Sequence, residues 1–134
     1  MFQVIAAYFT TAFVFFAIDF VWLTQVATKF YFDRIGHLLM DKPNMAAAGT
    51  FYVIYVVGIV IFAVLPALKN DSFAYAVLFG AMFGFFTYAT YDVTNFATLK
   101  NWPVIVTVVD VAWGATLSAV SAGAGFLLTR MITV

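Results

Sequence analysis

Three aspartates, Asp19, Asp92 and Asp110, lie inside runs of the chain that are otherwise apolar. A carboxylate in such a place can take up a proton, hold a cation or serve as general acid or base. The stretch Tyr88 to Pro103, YATYDVTNFATLKNWP, concentrates this chemistry. Asp92 and Asn95 are three residues apart there, so on a helix they share a face. Tyr88 and Tyr91 add hydroxyls, as do Thr87, Thr90, Thr94 and Thr98. Trp22 follows Asp19, and Trp113 follows Asp110, at the same three-residue spacing, which puts each indole beside its own acid.

Those residues need elements that carry them into a common place. Of the 134 residues, 66% are hydrophobic and 9% charged, against roughly 45–50% and 25% in soluble domains. Too few polar side chains exist to cover a water-facing surface, so the reading is an integral membrane protein with a single transmembrane domain over residues 1–134. Six Lys and Arg balance six Asp and Glu, which leaves no basic footprint for nucleic acid. The absence of cysteine excludes disulfides and thiolate metal sites.

Four apolar runs approach the ~20 residues that cross a bilayer: about 4–25, 46–68, 73–99 and 104–128. The first has no basic start and contains Asp19, so it is read as a retained span and not a cleaved signal. Strands of alternating polarity, the mark of a barrel, are missing. The fold expected is all-α, a four-helix up-down bundle, because the turns at Lys69-Asn70-Asp71 and at Lys100 to Pro103 force antiparallel neighbours. The longer connection, Val26 to Met45, has apolar residues at helical spacing (Tyr31, Ile35, Leu38, Leu39) and predicts a short interfacial helix.

Placed by depth, the acids converge. Asp19 and Asp92 lie shortly before the ends of spans one and three, and Asp110 shortly after the start of span four. At ~1.5 Å per residue each is roughly 9–10 Å from the same membrane face. That face carries the basic connections: Lys29, Arg34, Lys42 and Lys100 lie there, against Lys69 and Arg130 opposite. The bias places connections one and three in the cytoplasm. An aspartate at a span centre costs ~2.5–3.5 kcal/mol on insertion scales and usually faces the bundle interior. Three acids with no base at their depth cannot all stay ionised without a proton, a cation or water beside them.

The ligand- or proton-binding set expected is therefore Asp19, Asp92, Asp110, Asn95, Tyr88, Tyr91, Trp22 and Trp113, with Lys100, Trp102, Arg34 and His37 at its rim. His37 joins the site only if connection one folds back over the acids. Tyr52 and Tyr55, with no ionisable neighbour in their own span, read as packing. Gly80 and Gly84 would let a neighbouring backbone approach closely. A structural reading competes throughout: each aspartate could be a protonated group bonded to Thr, Tyr or Trp on a neighbouring helix, or be neutralised from the rim by Lys29, Arg34 or Lys100.

Asp19-x-x-Trp22, Tyr91-Asp92-Val93-Thr94-Asn95, Ala97-Thr98-Leu99, Trp102-Pro103 and Asp110-x-x-Trp113-Gly114 together resemble the bacterial membrane-protein family catalogued as domain of unknown function 2177. The resemblance covers essentially the whole chain. It implies a small polytopic protein of a bacterial inner membrane and brings no substrate with it.

The leading expectation is a small protein that binds or transports a proton-coupled or cationic solute, with the lipid bilayer as its surroundings. A protomer this small encloses little space, which points to a homodimer. No cofactor is called for, and a divalent cation held between Asp19, Asp92 and Asp110 is the open alternative. Two other classes stay in view: a membrane-embedded enzyme acting on a lipid or isoprenoid headgroup, and a structural partner subunit of a membrane complex.

Overall fold

The computed structural model describes residues 1–133, which are mostly helical with no strand among them. Helix α1 (Phe2–Trp22) passes through a wide π-helical turn, Leu23–Ala27, into α2 (Thr28–Ile35) and a short 3₁₀ turn, Gly36–Leu38. Helix α3 (Met45–Ile59) passes through a second π-turn, Val60–Val64, into α4 (Leu65–Asn70). Helices α5 (Phe73–Thr98) and α6 (Val104–Thr133) follow. Four continuous helical stretches are long and apolar enough to cross a membrane: Phe2–Leu38, Met45–Asn70, Phe73–Thr98 and Val104–Thr133. The short helix expected in connection one is thus present as α2, joined to the first span without a break.

Local chemistry sets the ends. The Asn44 side chain accepts from the Ala47 backbone N–H at 3.0 Å and starts α3, and the Ser72 hydroxyl accepts from Tyr75 N–H at 3.1 Å to start α5. Such caps satisfy amide groups that a helix cannot pair itself. The two tight turns each use a left-handed residue, Asp71 (φ 51°) and Asn101 (φ 63°), and Asp and Asn tolerate that conformation better than other non-glycine residues. The second π-turn has a cause in Pro66. Proline offers no N–H to the preceding turn and its ring crowds the carbonyl there, so the helix widens by one residue.

The helices pack as an antiparallel ring, α1 against α6, α6 against α5, α5 against the second π-turn and α4, and α3 back against α1. The α5–α6 seam is the tightest. A Cβ on Gly80 would come 2.7 Å from the Ser118 carbonyl oxygen, and one on Gly84 would meet the Gly114 carbonyl. Across the ring, Thr10 and Thr129 share a hydrogen bond at 3.0 Å, and a Cβ on Gly125 would strike Thr11. Phe15, Val56, Ile59, Leu117 and Phe126 fill the middle of the core. The outward faces carry large apolar side chains such as Phe9, Phe13, Phe20, Phe62 and Phe86. A contiguous apolar exterior of this kind suits lipid and not water.

Candidate functional site

At the end of the bundle nearest the α5–α6 turn, the ring opens into a cavity of about 370 Å³. Every span contributes to its wall. Asp19 and Trp22 come from α1, Leu23 from the π-turn, Tyr31 from α2, and Ala48, Phe51, Tyr52 and Tyr55 from α3. Helix α5 adds Thr87, Tyr88 and Tyr91, and α6 adds Asp110 and Trp113.

Two of the three predicted acids face the cavity. Asp19 is only 5% exposed and accepts from the Trp113 indole N–H at 3.3 Å, with Tyr52 beside the same carboxyl. Asp110 accepts from the Tyr31 hydroxyl. The sequence spacing paired each tryptophan with the aspartate on its own helix. The structure crosses them: Trp113 of α6 bonds Asp19 of α1, and the Trp22 and Trp113 rings stack at 4.2 Å and 9°. Antiparallel packing of α1 on α6 brings two Asp-x-x-Trp turns face to face, which no single-helix spacing reveals.

Asp92 is placed differently. It is 1% exposed and lies off the cavity wall, close to Asp110, and among the described residues no donor reaches its carboxyl oxygens. Among the described residues no three acidic or histidine side chains come together closely enough to hold one metal ion. The acids thus form a pair, buried Asp92 and half-buried Asp110, with Asp19 within electrostatic reach of Asp110 on another wall. Tyr88 and Tyr91 line the cavity, whereas Asn95 does not.

The rim departs from expectation. Connection one does fold back, and it does so through Tyr31 and Ile35; Ile35 packs on Trp102 and Val106, while His37 stays exposed. Trp102 is 7% exposed and sits inside, its indole N–H donating to Thr107 Oγ1 at 3.0 Å. Thr107 in turn donates to the Asp92 backbone carbonyl at 3.2 Å. Trp102 therefore clamps the α5–α6 turn beneath the acid pair. The Arg34 guanidinium lies over the Phe30 ring at 4.2 Å, and Lys100 is exposed. The ion pair found among the described residues, Arg130 with Asp71 at 3.3 Å, is at the opposite end. Among the described residues no Lys, Arg or His pairs with Asp19, Asp92 or Asp110.

Tyr52 and Tyr55 pack on the core, as their sequence reading had it, and they also line the cavity. Tyr55 is held by Ser118 at 2.7 Å and Thr87 at 3.1 Å, and the Tyr88 ring occupies the space over Gly114. Tyr31 was seen in sequence only as an apolar helical position. A tyrosine spaced within reach of an acid on another span was the available signal, and it becomes readable only once the neighbours are known.

A family model described as "Predicted membrane protein (DUF2177)" matches residues 4–127. No curated protein and no solved structure matches the chain.

Proposed function

The chain belongs to the DUF2177 family of predicted membrane proteins, and from that premise we propose that its cavity binds a monovalent organic cation with an apolar body, such as a lipophilic ammonium or phosphonium, for passage across a bacterial inner membrane. One observation carries this reading. Two carboxyl groups face a cavity walled by aromatic rings, and no Lys, Arg or His lines it.

Aromatic faces attract cations by ~0.5–1 kcal/mol at exposed sites and ~2 kcal/mol or more when desolvated. Tyr and Trp rings on several sides also offer apolar contact that a small hydrated ion cannot use. The volume suits the reading too, since small-molecule pockets span roughly 300–1,000 Å³. The basic residues of the first and third connections favour their placement in the cytoplasm, which would open the acid end toward that side.

Titration calorimetry of the purified protein with tetraphenylphosphonium tests the proposal. Saturable binding is expected, weakened at least about tenfold in Asp19→Asn, the equivalent of ~1.4 kcal/mol. Proteoliposomes carrying the protein should also take up the cation faster than empty vesicles. Absence of saturable binding, or equal affinity in Asp19→Asn, overturns it.

A further inference from the structure

Asp92 is the buried acid that the cavity leaves unused. Its side chain is 1% exposed, and among the described residues no donor reaches either carboxyl oxygen. Asp110 stands one helical turn beyond Thr107, whose hydroxyl donates to the Asp92 backbone carbonyl at 3.2 Å, so the two carboxyls adjoin, and Asp110 does line the cavity. The groups facing the pair from the surrounding elements are Tyr31 of α2, Asp19 of α1, Tyr52 of α3, and Tyr88 and Tyr91 of α5. All are neutral hydroxyls or another acid.

A carboxylate with neither donors nor a counter-charge is expensive to bury. A divalent metal would need six or more oxygen ligands or a retained water shell, and no three acidic or histidine side chains converge here among the described residues. A proton needs only one oxygen and a neighbour to share it. Two carboxyl groups in contact are stable when they hold one proton between them.

We infer that the adjoining carboxyls of Asp92, sealed behind the wall, and Asp110, on the wall, hold one exchangeable proton that a cation arriving beside Asp110 expels. The step is a proton transfer alone: an O–H bond of the pair breaks, the proton passes to water, and the cation supplies the positive charge it carried. The net charge of the site is unchanged. Because the two ligands oppose each other through Asp110, linkage requires the reverse effect as well, and added protons weaken cation binding.

The coupling rests on the cation reading above, whereas the proton itself does not, and infrared spectroscopy separates them. Cation-free protein should show a carboxylic-acid C=O band that shifts in D₂O, disappears in Asp92→Asn and moves without vanishing in Asp92→Glu. Tetraphenylphosphonium should remove that band in the wild type and release about one proton into a weakly buffered medium. Its affinity should fall by up to about tenfold per pH unit on acidification in the wild type, and lose that dependence in Asp92→Asn. If tetraphenylphosphonium does not bind, the band and its loss in Asp92→Asn still uphold the proton while the cation reading falls. A spectrum without the band, a band unaffected in both Asp92 variants, or binding that releases no proton overturns the inference.

Discussion

Trp113 does two jobs with one side chain. Its N–H donates to Asp19, and its ring stacks on Trp22. Trp113→Phe keeps an aromatic surface but strips the buried carboxyl of a donor, an omission that costs about 1–3 kcal/mol. The expected result is a lower thermal unfolding temperature in detergent together with weaker tetraphenylphosphonium binding. Trp113→Ala, which also forfeits the stack, should fall further. An unfolding temperature equal to wild type in Trp113→Phe would remove that hydrogen bond from the account. The residue scale is also where the sequence was partly legible. Asp19, Asp110, Trp22 and Trp113 could be singled out because polar or indole groups stand out in apolar runs. Tyr52, Tyr55 and Tyr31 could not, because their partners come from other helices and tyrosine is common at membrane interfaces for its own reasons.

Between α5 and α6 the spacing is set by what is missing. A Cβ on Gly84 would press on the Gly114 carbonyl and come 2.7 Å from Ser118 Oγ, and neither backbone nor a hydroxyl bonded to Tyr55 can swing aside. Gly84→Ala should therefore force the seam apart and cost about 1–3 kcal/mol or more. Gly49→Ala, with nothing within 4 Å of the added carbon, is the matched control and should be neutral or slightly stabilising. Thermal unfolding of the two variants side by side checks the contrast. Gly80 and Gly84 were legible as a contact face from their four-residue spacing. The π-turns were not. Hydropathy reports how long an apolar run is and says nothing of a single residue inserted into the winding, even though the turn at Leu23–Ala27 lies between Asp19 on α1 and Tyr31 on α2. There the Leu23 carbonyl accepts from both the Thr28 backbone N–H and, at 2.6 Å, the Thr28 hydroxyl.

For the whole molecule the sidedness of the charges makes a further prediction. A chain without cysteine accepts single reporters cleanly. Asp41→Cys in the first connection and Asn70→Cys in the second are exposed positions that leave every Lys and Arg in place. On intact cells an impermeant maleimide should label Asn70→Cys, and label Asp41→Cys only after the membrane is broken. The reverse pattern would invert the orientation. The four-span arrangement itself was legible because apolar runs and short polar turns leave few alternatives. The order of helices around the ring was not, since every span is apolar on nearly all sides and nothing in its own sequence names its neighbour.

That ring order has a consequence for how the protein is made. The first helix packs mainly against the last, with Thr10 reaching Thr129, Thr11 meeting Gly125 and Asp19 reaching Trp113. A ribosome delivers the chain from its N-terminus, so Asp19 enters the membrane long before Trp113 has been synthesised. Until then the nascent first helix must keep a carboxyl in or near lipid without its eventual donor. Completion of the site therefore waits for α6, and a chain stalled before α6 should be a target for membrane quality control.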